Sequence, residues 1–144
     1  MTDKERLIEG KALIDNLQFG ESINKLLSIP NNGKSAKFLE LKNLFMGNSY
    51  YNIGEYFMAI QMLEKVIKSN NKNELASQLK YLCLVHLKKY NLALIEIMGF
   101  LKRNPADLYK ATLEELLHEI KIGNITDADI IDGIHFLAIE NNVI

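Results

Sequence analysis

Glu115 and His118 form a Glu-x-x-His pair, which places a carboxylate and an imidazole on one face of a helix. The same spacing occurs in di-iron sites of helical bundles, where a second copy and further carboxylates project from facing helices. No second copy is evident in this sequence. We therefore interpret the pair as part of a solvated helix face.

Cys83 and His86 are also three residues apart and could in principle supply a nucleophile and its base. A buried cysteine, however, usually behaves as a small hydrophobic residue. Because Cys83 is the only cysteine of the chain, it cannot form an internal disulfide. We interpret it as a core residue.

The segment with Asp127, Asp129 and Asp132 resembles the start of a calcium-binding loop. The fifth position of such a loop would be Ile131 and the twelfth Ala138, and neither side chain can offer an oxygen ligand. Phosphate-binding glycine loops and zinc-ligand spacings do not occur. The sequence thus predicts no enzyme, no metal site and no cofactor.

The elements that carry these residues are helical, and a repeat organises them. Tyr56 recurs as Tyr90, and Ala59 recurs as Ala93 at the same offset along the chain. That offset matches the period of about 34 residues found in one class of helix-turn-helix repeats. In such repeats one helical pair cannot bury its apolar face alone and stacks on the next pair.

The best copy resembles the tetratricopeptide repeat, whose first helix carries Leu-Gly-x-x-Tyr and whose second carries Ala-x-x-x-Phe. The residues that carry this resemblance are Met46, Gly47, Tyr50, Gly54, Tyr56, Ala59 and Leu63. Gly54 is placed to end the first helix in a left-handed conformation. The copy departs from the family pattern at Asn43, where Trp is preferred, and at Asn71, where Pro is frequent.

The neighbouring copies are less regular. The later one keeps Tyr90, Ala93, Ile97 and Pro105 but has Tyr81 where the small glycine is expected, so a shift of its first helix by one residue stays open. An earlier copy is carried by Gly10, Phe19, Ser22, Ile23 and Leu26. Its offset is three residues longer than the period, which points to an insertion at residues 28–33.

The resemblance implies an all-α, right-handed helical solenoid of tetratricopeptide-like repeats with C-terminal capping helices. The expected solenoid is a single domain, 1–144, with repeats at about 3–36, 40–73 and 74–107 and a helical cap at 106–144. Apolar spacing predicts helices over 3–16, 19–29, 35–53, 56–70, 73–88, 90–103, 106–121 and 127–141. The last pair, with Gly123 and Ala128 five apart like Gly54 and Ala59, is a candidate fourth repeat.

Composition sets the remaining bounds. The chain of 144 residues is 48% hydrophobic and 24% charged, with a formal net charge of −1. Because acidic and basic residues look evenly mixed, we expect no nucleic-acid partner. A membrane span is not expected either, since no stretch of about 20 apolar residues occurs. The N-terminus shows no apolar signal core, so we expect a cytoplasmic protein.

In repeats of this kind the first helices of each pair line a concave groove, which the register assigns here. The predicted partner-binding residues are Leu41, Leu44, Asn48, Tyr51, Asn52, Gln78, Leu82, Val85, His86 and Lys11. This groove is largely apolar and suits an extended or helical protein segment with hydrophobic anchors.

The predicted function is therefore non-catalytic binding of a peptide or protein segment, as an adaptor, scaffold or dedicated chaperone. The alternative is a structural module that forms homo-oligomers, for example a homodimer, through the apolar C-terminal helix or a terminal repeat.

Overall fold

A computed structural model describes all 144 residues, as eight α-helices and no strands. The helices are α1 (Asp3–Asp15), α2 (Phe19–Leu27), α3 (Ala36–Asn52), α4 (Tyr56–Ser69), α5 (Glu74–His86), α6 (Tyr90–Arg103), α7 (Tyr109–Lys121) and α8 (Ala128–Glu140). The all-α prediction is confirmed, and every predicted helix has its counterpart. None of the eight helices combines the length and the apolar character needed to cross a lipid bilayer.

Neighbouring helices pack on one another along the chain. From α1 to α6 each helix packs on the one that follows it, and α7 packs on α8. Contacts between alternate helices join α1 to α3 and α3 to α5. This order is interrupted after α6, which contacts α8.

The four odd-numbered helices α1, α3, α5 and α7 end in the same backbone geometry, which also recurs at Asn142 after α8. In each, the second residue after the helix has a positive φ between 59° and 85°, at Leu17, Gly54, Lys88 and Gly123. The next N–H donates to the carbonyl five residues earlier, as in the Schellman motif: Gln18 to Leu13, Glu55 to Tyr50, Lys89 to Leu84 and Asn124 to Glu119. The left-handed geometry predicted at Gly54 is confirmed.

These helix ends fix the register of the irregular copy. Gly54 and Lys88 have the same conformation, and the offset between them equals the repeat offset from Tyr56 to Tyr90. The helix α5 is therefore not shifted by one residue relative to α3. Tyr81 occupies the position that Gly47 occupies in α3, seven residues before the left-handed residue.

Glycine at that position permits close packing of two consecutive helices. A Cβ atom on Gly47 would lie 2.6 Å from Leu63 Cδ2, and one on Gly10 would lie 2.6 Å from Leu26 Cδ2. Both leucines have no exposed surface. In the α5–α6 pair the corresponding residues are Tyr81 and Ile97, which belong to the same buried cluster.

The start of α7 shows the largest difference from the predicted helix spans. We predicted a start at residue 106, whereas α7 begins at Tyr109. The Glu74 carboxylate of α5 accepts hydrogen bonds from the backbone N–H groups of Asp107, Leu108 and Tyr109, at 2.9, 3.0 and 3.1 Å. A side chain of another helix thus satisfies the first donors of α7, which has no side-chain cap of its own.

Candidate functional site

The predicted groove residues lie on α1, α3 and α5, and none of the ten is buried. Tyr51 and His86 come together with Tyr56 in an aromatic cluster. The His86 ring is stacked on that of Tyr56, with centroids 4.7 Å apart, and meets Tyr51 edge-on at 5.7 Å. Leu44 and Tyr51 pack against one buried cluster, Leu41 against a second, and Leu82 and Val85 against a third.

The polar members of the predicted groove have partners within the chain. Asn52 Nδ2 donates to Asn48 Oδ1 and to the Asn48 carbonyl, both at 2.8 Å. Lys11 Nζ pairs with Asp15 Oδ1 on the surface of α1. Gln78 Nε2 donates to the carbonyl of Leu108 at 3.4 Å. These side chains are therefore committed in part to local contacts.

A cavity of about 1010 Å³ opens between the α5–α6 pair and the α7–α8 pair. Nine of its seventeen lining residues are hydrophobic, so apolar and polar groups share its wall. The lining comes from α5 (Tyr81, Val85), α6 (Tyr90, Asn91, Ala93, Leu94), α7 (Ala111, Glu114, Glu115, Leu116, His118, Glu119), the α7–α8 connection (Asn124, Ile125, Thr126, Asp127) and α8 (Ile130).

Two departures from the repeat coincide at this cavity. Tyr81 replaces the helix-packing glycine, and its ring lines the cavity while meeting Tyr109 edge-on at 6.2 Å between centroids. The connection after α7 is longer than its counterparts: α4 and α6 begin two residues after Gly54 and Lys88, whereas α8 begins five residues after Gly123. A bulky side chain and a longer connection thus both line this cavity.

The polar side of the cavity is acidic. It carries the carboxylates of Glu114, Glu115, Glu119 and Asp127 and no lysine or arginine. None of the four carboxylates forms a salt bridge, although Glu119 accepts a hydrogen bond from Asn124 and Asp127 caps α8. Burial, reinforced by Glu115 and Glu119, raises the pKa of Tyr81 to about 12. The negative charges of the carboxylates thus help to keep Tyr81, in the cavity wall, protonated.

This acidity belongs to one end of the chain. Residues 107–144 contain eight Asp and Glu but two Lys and Arg, a formal charge of −6, whereas residues 1–106 contain ten acidic and fifteen basic residues, a formal charge of +5. The two sum to the net charge of −1. Our expectation of evenly mixed charge was wrong, because a near-zero total conceals two segments of opposite sign.

The wall formed by α5 is held to its neighbours by a buried polar network. Lys80 Nζ lies 3.0 Å from Glu96 Oε1, and Ser77 Oγ donates to Glu96 Oε2 at 2.7 Å. Because the Ser77 proton goes to the carboxylate, the Tyr109 hydroxyl must donate to Ser77 Oγ, 2.7 Å away. Side chains of α5, α6 and α7 are thereby joined through fully assigned hydrogen bonds.

The Glu115–His118 and Cys83–His86 pairs do not form a metal site. No group of three or more His, Cys, Asp or Glu side chains is arranged to hold a metal ion. Glu115 and His118 both line the cavity without a third ligand beside them. Cys83 is fully buried, and burial raises its pKa to about 12, so it is a protonated thiol at neutral pH.

Val85 is the one predicted groove residue that lines the cavity; the other nine lie outside it. Sequence reasoning missed the cavity because its walls come from four separate helices, α5, α6, α7 and α8, and the apolar pattern of each does not report how they are spaced. The usable signals were Tyr81 in place of glycine and the concentration of acidic residues after residue 106.

No protein-family model, no curated protein and no solved structure matches this chain.

Proposed function

We propose that this chain is a tetratricopeptide-like, right-handed solenoid that binds a protein segment and catalyses no reaction. The recurrence of one helix-ending geometry at Leu17, Gly54, Lys88 and Gly123 supports a repeating arrangement. The matching contacts of Gly10 with Leu26 and of Gly47 with Leu63 support it further. Gly123 extends the repetition to the α7–α8 pair, which serves as the cap of the solenoid.

The observation that carries the binding function is the cavity between the α5–α6 and α7–α8 pairs. Its volume of about 1010 Å³ lies at the upper end of the range of ligand pockets, about 300–1,000 Å³. Its apolar floor offers hydrophobic burial, while the polar groups on its rim can fix the orientation of a bound chain. A short protein segment with an apolar anchor fits this combination.

We propose that the cavity extends the predicted groove. Val85 belongs to both surfaces, and His86 follows it at the end of α5. We propose that a bound segment enters through the cavity and continues along the predicted groove toward Tyr51. Cytoplasmic location is part of the same proposal, since the single cysteine is a buried thiol.

The function can be tested by selecting binders from a displayed library of random short peptides. Ala111 is exposed and lines the cavity, so Ala111→Trp places an indole ring inside it. Ala12→Trp is the matched control, because Ala12 is an exposed α1 residue that does not line the cavity. We expect peptides that bind the wild type and Ala12→Trp but not Ala111→Trp. Peptides that bind all three proteins equally would contradict the proposed site, provided that circular dichroism shows equal helicity.

Self-association through α8 is the second candidate function. Phe136 and Ile139 are one turn apart on α8 and are 60% and 61% exposed, whereas Ile134 and Leu137 are buried in the core. An apolar pair of this kind favours a protein contact. If this function is correct, sedimentation will show a mass that rises with concentration, and Phe136→Ser/Ile139→Ser will abolish the rise. Leu92→Ser/Ile95→Ser, at an exposed apolar pair on α6, is the control.

A further inference from the structure

No lysine or arginine lines the cavity to neutralise its carboxylates. Glu114 and Glu115 are exposed, line the cavity and take part in no ion pair or side-chain hydrogen bond. Elsewhere in the chain several carboxylates have a basic partner, as in the pairs Asp3–Lys34 and Glu96–Lys80. The cavity is thus a place where negative charge is left available for a ligand.

The apolar floor lies within reach of these charges. Leu94 and Ile130 are half-buried and face the cavity from α6 and α8, and Leu116 comes from the same helix as the glutamates. Glu115 and Glu119 are one turn apart on α7, so their carboxylates form a pair along one side of the opening. A ligand in this cavity therefore meets hydrophobic side chains below and two negative charges beside it.

We infer that the cavity binds a basic protein segment, in which an apolar anchor is flanked by lysine or arginine. This inference rests on the function proposed above and names the chemistry of its ligand. The apolar anchor would occupy the floor between Leu94 and Ile130, and the basic side chains would pair with Glu115 and Glu119. Arginine and lysine also have long apolar stems that can cover the surrounding hydrophobic surface.

Charge complementarity separates this occupant from others. An acidic peptide or a nucleic acid would place negative groups beside four carboxylates that form no salt bridge, in a segment whose formal charge is −6. A second copy of the chain is a weaker fit, since its excess positive charge is only +5 over 106 residues. A short basic segment can place its positive charges next to Glu115 and Glu119.

The test uses the full chain and peptides selected from the random displayed library on the wild-type protein. We expect Ala111→Trp-sensitive peptides to be enriched in Lys and Arg next to Leu, Ile or Phe. Binding of the corresponding synthetic peptide should weaken about fivefold to tenfold in Glu115→Gln/Glu119→Gln. Binding should also depend less on salt in this variant, because two of the screened charges are gone.

Asp132→Asn/Glu140→Gln is the matched control. It removes two exposed carboxylates from the same acidic segment, but neither lines the cavity, so affinity should stay within about twofold. Equal losses in both double variants would overturn the inference, because the effect would then come from net charge alone.

The remaining outcomes separate the inference from the proposed function. Neutral or acidic peptides that still lose binding in Ala111→Trp would overturn the basic ligand and leave the binding function intact. Failure to recover any Ala111→Trp-sensitive peptide would overturn both. A concentration-dependent mass that Ala111→Trp abolishes would show that the occupant is a second copy, and the inference would again be wrong.

Discussion

Gly47 lies directly against Leu63, so that a methyl group on Gly47 would come within 2.6 Å of Leu63 Cδ2 and 2.7 Å of Cγ. The leucine cannot retreat easily, because it is fully buried in the cluster that α3, α4 and α5 share. The same relation joins Gly10 to Leu26 in the first pair of helices.

Gly47→Ala should lower the free energy of unfolding by about 1–2 kcal/mol. Overpacking costs about 1–3 kcal/mol, and the better helix propensity of alanine returns up to about 1 kcal/mol. Urea unfolding followed by circular dichroism measures the difference. Gly20→Ala is the control, because nothing lies within 4 Å of its Cβ position, and it should be neutral or stabilising. A destabilisation of Gly20→Ala equal to that of Gly47→Ala would contradict the packing argument.

Lys88→Gly should raise the free energy of unfolding by about 0.5–1 kcal/mol. Lys88 is exposed and has φ 59°, a conformation that costs a non-glycine residue about 1–2 kcal/mol, while the extra freedom of glycine in the unfolded chain offsets part of the gain. Gly54→Ala, at the equivalent position of α3, should destabilise by about 1 kcal/mol. Thermal unfolding of both variants measures the sign of each change in stability. Two shifts in the same direction would disprove the explanation.

Tyr109→Phe should make the protein less sensitive to alkali. Burial raises the pKa of Tyr109 well above its ordinary value of about 10, so above that pH the unfolded chain releases a proton that the native protein retains. Stability therefore falls as pH rises past about 10, with a contribution of about 1.4 kcal/mol per pH unit from this residue. Urea unfolding at a series of alkaline pH values should show a slope smaller by that amount in Tyr109→Phe.

Two controls accompany this measurement. At neutral pH Tyr109→Phe should cost only about 1 kcal/mol, since Ser77 keeps its hydrogen bond to Glu96. Tyr90→Phe, at a tyrosine that is 56% exposed, should leave the alkaline slope unchanged. If the two variants had equal slopes, burial of the Tyr109 hydroxyl would not be the cause.

Cys83 should resist thiol reagents in the native protein. With a pKa of about 12, the thiolate fraction at neutral pH is more than about a thousandfold below that of an ordinary cysteine, and the sulfur is fully buried. The chain has one cysteine, so reaction with Ellman's reagent reports on it alone. The labelling rate should rise with urea in parallel with unfolding. Fast labelling without denaturant would contradict the buried position.

The helices could be predicted from the local sequence, because the apolar spacing and the helix-ending residues both lie within each helical segment. Gly54 and Gly123 show this well, since glycine is the residue that accepts a left-handed φ most easily. Leu17 and Lys88 adopt the same conformation without being glycine, so local pattern alone gives them no signal. Asn142 adopts it too, after the last helix.

The cavity could not be predicted in the same way. Whether Tyr81 of α5 fills a gap or lines one depends on where Tyr109 lies, at the start of α7. The late start of α7 depends likewise on Glu74, the first residue of α5, from which α7 is separated by the whole of α6. Such relations between distant residues are set by packing, whereas the apolar pattern reports only which face of a helix is buried.

The dependence of α7 on Glu74 has a consequence for the order of folding. Most helices pack on their neighbours in the chain, and proteins rich in such local contacts fold within microseconds to milliseconds. The bonds from Glu74 to residues 107–109, in contrast, close a loop that contains the whole of α6. We expect the first six helices to form the nucleus and α7 and α8 to join after the rate-limiting step. In that case Tyr109→Phe will accelerate unfolding and leave the folding rate nearly unchanged.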